Sequence, residues 1–439
     1  MKYRLPQALA WLALYVLLAL SPLVLSWLGP SPAPRGFWVE LGSALGLVGL
    51  GMLCLQFFIT GRFRDFALGF GTDNLLQFHL GAGVTAMVLV LLHPAVMFLA
   101  DASYLSFLDP RVNLLRTLGL VPALGALILL VVLSLWRKAS GLVYEWWRLI
   151  HGLLAFFLLF VGLVHTLQVG HHTQPVWSTA WVVLLAGTAL GAVLYTRLYK
   201  PWRLSHFPYR VAEVVPERGE TTTLVIEPIG HRGMRFDAGQ YVWLTLGDTP
   251  FRLQQHPFSL SSSAEEPKRL TLTAKALGDF TGTWPEVEPG TRAFLEGPYG
   301  AFTLDRRVEH GVVLLAGGVG ITPMMSILRT LAARGDRRRV ILLYANPRWE
   351  EVLFREEIEA LREPLDLEVV HILEEPPDAW EGEVGLLTPE VLERHLPAEE
   401  ARHDYYICGP KPMMDLVESQ LVRRDIPLRQ IRSERFEIV

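Results

Sequence analysis

Six apolar runs crowd the first two hundred residues of this chain, and each is long enough to cross a hydrocarbon core of about 30 Å. They fall near Leu9–Leu28, Phe37–Ile59, Leu75–Leu99, Leu114–Leu135, Leu149–Leu167 and Trp177–Tyr195. The first is too long for a cleaved signal, and the five that follow need it for parity. Charged residues make up only 19% of the 439 residues and collect mostly beyond Pro201, where the chain reads as an ordinary soluble protein. A six-helix transmembrane bundle followed by a soluble half is therefore expected. Loop charges set its orientation. Lys2, Arg4, Arg62, Arg64, Arg137, Lys138, Arg148, Arg197, Lys200 and Arg203 lie on one side; Arg35 and Arg111, with Arg116 at a span edge, lie on the other. The inside-positive bias then predicts a multi-pass protein of the cell membrane with its N- and C-termini cytoplasmic. A net charge of −4 argues against a nucleic-acid surface, and two cysteines, Cys54 and Cys408, exclude a disulfide framework.

The third run carries His79 and His93, and the fifth carries His151 and His165, both as H-x13-H. Fourteen helical steps return to within about 40° of the same face, roughly 21 Å further along. Because these two spans run in the same direction, His79 pairs with His151 and His93 with His165. Two imidazoles at each level suit the axial ligation of a heme iron, and two stacked hemes make a path across the bilayer. Zinc fits less well, since it usually takes three or four protein ligands. Helix–helix hydrogen bonding by isolated histidines is the competing explanation. Gly81, Gly83 and Gly152 leave room for a macrocycle or for close helix packing. Arg62, Arg64 and Arg148 suit heme propionates or act as membrane anchors, and Phe157 lies between the two levels.

From Ser205 to Leu304, short runs such as Tyr241–Leu246 and Leu270–Ala274 alternate apolar and polar residues between Gly and Pro, as in a small antiparallel barrel. Within it stand His256, Pro257, Phe258 and Ser259, then Ser261, Ser262 and Ser263, and later Lys275 followed by Gly278, Asp279, Phe280 and Thr281. Hydroxyls, a Lys and backbone amides beside a Gly suit a flavin and its pyrophosphate. Val312–Ala316 reads as a buried strand running into Gly317, Gly318, Gly320, Thr322 and Pro323 and then a helix, a phosphate-binding turn without the usual G-x-G-x-x-G spacing. Strands at Val340–Tyr344, Leu367–Ile372 and Tyr405–Cys408 alternate with helices at Glu351–Leu361 and Pro412–Leu421, predicting a doubly wound α/β sheet. Cys408, Gly409 and Pro410 end the last strand, where ligands bind in such sheets. Cys408 is a candidate neighbour of the nicotinamide, or a small buried thiol. The expected domains are 1–204, 205–305 and 306–439.

Taken together, these motifs resemble the NADPH oxidase and ferric reductase superfamily over nearly the whole chain. The paired H-x13-H is similar to its diheme signature. His256–Ser259 and Gly278–Thr281 resemble its flavin motifs, and Gly297–Gly300, with Gly297 and Pro298, the Gly317–Pro323 turn and Cys408–Pro410 resemble its ferredoxin-reductase-like half. The resemblance implies FAD, two b-type hemes and NADPH or NADH as cofactors. It implies an electron route from cytoplasmic NAD(P)H through the flavin, the inner heme and the outer heme to a small acceptor. It also implies an aromatic residue over the flavin, for which Phe436 is the candidate, although it is not terminal. No obligatory protein partner is expected.

Dioxygen, yielding superoxide, is the first acceptor expected, and a ferric chelate the alternative. Oxygen-reducing relatives place a His one turn beyond the outer ligand of the third span; Met97 stands there. Arg35 and Arg116 remain as cations, and His171 and His172 as possible ligands for a metal chelate. A membrane-anchored flavin reductase without heme is more distant, as is a relay that serves a partner protein. Arg348, after the second strand of the α/β domain, suits a 2′-phosphate and NADPH, while Glu350 and Glu351 suit a ribose diol and NADH.

Overall fold

The computed structural model describes residues 4–28, 33–63, 72–304 and 310–435. It divides into two compact units, one formed by Leu5–Phe63 with Asn74–Tyr199, the other by the residues from Lys200 onward.

In the first unit six helices are long and apolar enough to cross a membrane. They are α1 (Arg4–Trp27), α2 (Phe37–Ile59), α3 (Thr72–Ala100), α4 (Leu114–Leu135), α5 (Tyr144–Val169) and α6 (Val176–Leu194). Helix α5 begins five residues earlier than its apolar run. The added turn holds Tyr144, Trp146, Trp147 and Arg148, amphipathic side chains suited to a membrane–water boundary. Asn113 caps α4 by accepting a hydrogen bond from the Arg116 amide at 3.0 Å. Helix α2 is buried on many sides, and its glycines explain how. A Cβ on Gly51 would lie 2.4 Å from the Ala19 carbonyl oxygen, and one on Gly49 2.7 Å from Val90 Cγ2. Small residues therefore let α2 approach α1 and α3 more closely than larger side chains would permit. Outward-facing Leu17, Leu99 and Leu115 remain exposed, as expected of side chains that meet lipid rather than water.

The second unit opens with a short helix, α7 (Lys200–Leu204), and a six-stranded antiparallel sheet. Its strands are β1 (Tyr209–Pro216), β2 (Thr221–Pro228), β3 (Tyr241–Leu246), β4 (His256–Ser259), β5 (Leu270–Lys275) and β6 (Arg292–Tyr299), with one helical turn, α8 (Asp279–Gly282), before β6. The order is β4-β3-β6-β1-β2-β5. A bridge between Leu260, just past β4, and Leu272 of β5 joins the two ends, so the sheet curls toward the expected barrel.

A six-stranded parallel sheet follows. It consists of β7 (Gly311–Gly317), β8 (Val340–Asn346), β9 (Leu367–Leu373), β10 (Glu383–Val384), β11 (His403–Cys408) and β12 (Ile431–Ser433), in the order β10-β9-β8-β7-β11-β12. Helix α9 (Ile321–Arg334) follows β7, α10 (Arg355–Ala360) follows β8, α11 (Pro389–His395) precedes β11 and α12 (Lys411–Arg423) follows it. Val312, Leu314 and Ala316 of β7 enter the core that includes α9, while Val313 and Leu315 enter the core that includes α12. Both faces are thus covered, which is why β7 reads as a continuous apolar run. The helix expected at Glu351–Leu361 is shorter. Val352 and Leu353 are drawn into the core instead, the Leu353 amide donates to the Tyr344 hydroxyl at 3.3 Å, and Phe354 turns into the left-handed region before α10 begins.

Candidate functional site

Helices α3 and α5 bring the four membrane histidines together as two pairs. The His79 and His151 ring centres lie 6.2 Å apart, and those of His93 and His165 6.1 Å apart. Two imidazoles each bound at about 2 Å to one metal ion would hold their ring centres roughly 6 Å apart. Hydrogen bonds fix one ring in each pair. His93 Nδ1 lies 2.8 Å from the Gly42 carbonyl oxygen, which can only accept, so Nδ1 carries the proton and Nε2 keeps its lone pair. Ser134 donates its hydroxyl proton to the Leu130 carbonyl at 2.7 Å, so at 3.2 Å it accepts from His151 Nδ1. His151 Nε2 is thereby left as an acceptor. Nδ1 of His79 and of His165 is buried with no partner among the described residues. No third His, Cys, Asp or Glu joins either pair among those residues, so a zinc site of ordinary coordination is not built there.

The surroundings leave space. A Cβ on Gly81 or Gly152 would meet nothing within 4 Å, and one on Gly83 only Gln56 Oε1 at 3.8 Å. Trp147 sits 5.3 Å from the His151 ring, its indole nitrogen donating to the Leu133 carbonyl at 2.8 Å. At the other level Phe107 lies 6.1 Å from His165, and the Arg116 guanidinium covers Phe107 at 3.9 Å. Gly42 and Gly46 of α2 carry a role that spacing does not reveal. A Cβ on Gly46 would stand 3.0 Å from His93 Nδ1, so the absence of a side chain gives the imidazole its room. Met97 is buried against Gly42.

In the barrel, His256–Ser259 forms β4 and pairs with β3. Phe280 stacks on His256 at 4.6 Å, and Phe258 lies 4.7 Å from Trp284. The Ser259 hydroxyl is buried without a partner among the described residues. Thr281 closes the Gly278–Gly282 turn by accepting from the Leu277 and Gly278 amides at 3.2 and 3.3 Å. A Cβ on Gly278 would meet nothing within 4 Å. Lys275 pairs with Glu351 at 3.1 Å. The Ser262 hydroxyl accepts from the Thr271 amide at 3.2 Å, and the serine loop is tied to α9. Ser326 donates to the Ser262 carbonyl at 2.8 Å, and Arg329 reaches both the Ser261 carbonyl and the Glu357 carboxylate at 2.6 Å. Gly297 and Pro298 lie in β6, where a Cβ on Gly297 would sit 3.0 Å from Val242 Cγ1.

The turn after β7 meets the end of β11. A Cβ on Gly320 would lie 2.3 Å from the Cys408 carbonyl oxygen, and one on Gly317 2.7 Å from Pro410 Cδ. A Cβ on Gly409 would lie 2.7 Å from Met413 Cε. Three glycines thus close two strand ends into one crevice at the point where strand order reverses, beside the N-terminus of α9. Thr322 donates to the Val319 carbonyl at 2.9 Å, and Pro323 occupies the first turn of α9, where no N–H is required. Tyr344, fully buried, donates to the Gly318 carbonyl at 3.2 Å. The Cys408 thiol is buried in the core while its backbone borders the crevice. Arg348 is exposed at the end of β8 and pairs with Glu375 at 2.8 Å. Phe436 lies outside the described residues.

Comparison with known proteins matches three segments of the chain. Residues 45–162 match a ferric reductase like transmembrane component, 210–303 an FAD-binding domain, and 314–419 an oxidoreductase NAD-binding domain. NADH-cytochrome b5 reductase 1 of Lodderomyces elongisporus is 33% identical over 42% of this chain and 57% of that protein. NADH-cytochrome b5 reductase 1 of Arabidopsis thaliana is 29% identical over 51% of this chain and 78% of that protein. The chain spans 57%, 60% and 46% of three of the curated relatives that it matches. A matching solved structure is the flavohem-like FAD/NAD binding domain of nitric oxide dioxygenase from Vibrio cholerae O1 biovar El Tor, 27% identical, covering 52% of this chain and 98% of that chain with a TM-score of 0.47.

Proposed function

We propose that this chain, which has the three-part architecture of the NADPH oxidases and ferric reductases, carries electrons from cytoplasmic NAD(P)H across the membrane to a small acceptor. It is a multi-pass NAD(P)H- and FAD-dependent oxidoreductase of the ferric reductase type. The finer reading adds two b-type hemes, held by His79 with His151 and by His93 with His165. When bound, FAD and heme supply the conversion of a two-electron donor into single electrons and their passage through lipid.

The residues do the positioning. Gly42 and Ser134 hold His93 and His151 with Nε2 unprotonated, the state that a metal requires. Gly81, Gly83 and Gly152, close in sequence to His79 and His151, are not crowded where a Cβ would stand. Arg148, three residues before His151, and Arg62 place positive charge toward that level, suiting propionates. In the domain proposed at 205–305, His256–Ser259, Ser262, Lys275 and Gly278–Thr281 take the flavin, with Gly297 and Pro298 beside them. In the domain proposed at 306–439, the amides of Gly317, Gly318 and Gly320 and the α9 N-terminus take the donor's pyrophosphate, with Thr322 and Pro323 shaping the turn. Gly409 and Pro410 border the nicotinamide, beside Cys408. Arg348 favours NADPH; NADH, the donor in the names of the matched reductases, is the alternative. The membrane domain, proposed at 1–204, has its charge-rich side and both termini in the cytoplasm.

The observation that carries this reading is the pair of ring separations near 6 Å, each with one imidazole locked in the ligating tautomer. The test is a dithionite-reduced minus oxidised spectrum of the purified protein, with heme and FAD counted per chain. Two b hemes per chain are expected, with one lost in His93→Ala. Well-folded, flavin-loaded protein without heme overturns it. Dioxygen giving superoxide is the proposed acceptor reaction. Buried Met97, in place of a polar group, favours a ferric chelate as the second reading, and anaerobic turnover with an iron chelate separates the two.

A further inference from the structure

We propose that Glu40, His171 and His172 form a binding site for a first-row divalent transition cation of the zinc or ferrous type. Their ligating atoms, one from each side chain, all lie within 4.8 Å of one another. Glu40 lies in the first turn of α2, and the two histidines lie in the loop between α5 and α6, so the site joins segments about 130 residues apart. It sits near the His93 level, because Gly42, two residues along α2 from Glu40, is the residue whose carbonyl holds His93. None of the three is among the four histidines assigned above to heme, and the inference does not depend on that assignment.

The side chains are already arranged for ligation. Glu40 Oε2 lies 3.1 Å from His172 Nε2, and Glu40 Oε1 lies 3.8 Å from His171 Nε2. Donor atoms each about 2.0–2.2 Å from a tetrahedral ion stand roughly 3.3–3.5 Å apart, and the Glu40–His172 contact is already close to that spacing. All three side chains are partly buried. His172 is further fixed through its carbonyl, which accepts from Ser178 Oγ at 3.0 Å.

Arg35 gives the second argument. Its Nη2 lies 3.1 Å from His172 Nε2, and a guanidinium can only donate, so that contact requires a lone pair on Nε2. Glu40 Oε2 stands 3.1 Å from the same nitrogen, so two lone-pair donors face one another there. A cation accepts the lone pair of the nitrogen and of the carboxylate together. Arg35 has other partners when the cation enters. Its Nη2 donates to Ser43 Oγ at 2.9 Å, and its Nε and backbone amide donate to Glu40 Oε1 at 3.3 and 3.2 Å. These bonds hold Oε1 and aim Oε2 at the site, as outer partners do around metal ligands. Two imidazoles and one carboxylate select a borderline transition ion over calcium or magnesium, which prefer oxygen donors throughout. Three protein ligands leave a fourth position open to water or an exogenous ligand.

The test is equilibrium dialysis of the full-length, detergent-purified protein against Zn2+, with zinc counted per chain, alongside its melting temperature with and without zinc. Expected is one more zinc per chain in the wild type than in Glu40→Gln or His172→Ala, and a zinc-dependent rise in melting temperature that both variants lose. Glu40→Gln preserves shape, and an unchanged melting temperature without zinc shows that it folds. Equal zinc in all three proteins, or none above background in the wild type, overturns the proposal. Because zinc binding is read on oxidised protein without NAD(P)H, a missing heme would refute the electron route and leave this result standing.

Discussion

Gly320→Ala isolates the contact that closes the crevice between β7 and β11. Gly320 has ordinary helical dihedrals, φ −61° and ψ −7°, so alanine suffers no backbone strain there. The cost is steric. The new Cβ would stand 2.3 Å from the Cys408 carbonyl oxygen, 2.6 Å from its carbonyl carbon and 2.9 Å from the Gly409 nitrogen, all backbone atoms. That is roughly 1 Å inside van der Waals contact, so one strand end must move by about that much. Overpacking of this kind costs about 1–3 kcal/mol of stability. If the crevice seats the nicotinamide, a displacement of about 1 Å lowers kcat/KM on the order of 100-fold. The assay is NAD(P)H-dependent ferricyanide reduction, which reads delivery of electrons to the flavin, with FAD content measured on the same sample. Gly318→Ala is the control. Its φ is +52° with no atom within 4 Å of a Cβ, so it pays backbone strain of about 1–2 kcal/mol and leaves the crevice closed. A Gly320→Ala protein with kcat/KM within twofold of wild type refutes the reasoning.

Other perturbations test other contacts. Arg329→Met cuts the link between α9, the serine loop and Glu357; stability falls by roughly 1–3 kcal/mol, and FAD washes out faster in gel filtration. Burial pushes the His371 imidazole down to about 4, with Arg362 and Arg355 adding repulsion. Its folded pKa lies below its unfolded value, so its contribution is complete above about pH 6.5 and drains away as pH falls toward 4. His371→Asn should flatten denaturant midpoints across that window, and an unchanged slope would count against it. Gly46→Val crowds His93, so one heme of two should be lost while the other keeps its spectrum; two retained hemes would contradict the packing argument. Phe436→Ala should shift the NADH to NADPH preference or raise flavin fluorescence, and constancy in both removes that residue from the flavin.

The membrane half was legible because lipid imposes one strong requirement, long apolar helices, and because fourteen-residue spacing can be converted directly into geometry. His79, His93, His151 and His165 pair as that arithmetic predicts. What holds them was not legible. Gly42 and Ser134 act through one carbonyl and one hydroxyl on neighbouring helices, and no local pattern distinguishes them from packing residues. Glu40 is likewise silent in sequence, since its partners stand about 130 residues away. In the second unit the buried parallel strands announced themselves as unbroken apolar runs. The expected helix at Glu351–Leu361 was shortened because Val352 and Leu353 gain more from core burial than from continuing a helix. Lys275 read as a pyrophosphate ligand, and its pairing with Glu351 is a tertiary contact between barrel and parallel sheet that propensity does not encode.

The Tyr344 hydroxyl serves two loops at once, donating to Gly318 after β7 and accepting from Leu353 after β8. A single phenol therefore ties two adjacent crossover connections to one buried point, so the stretch from β8 to Leu353 is held in length by its bond to the same hydroxyl that steadies the turn after β7. The rim above that buried point is held only by an exposed ion pair, Arg348 with Glu375, so the same neighbourhood is tied firmly at its base and loosely at its surface.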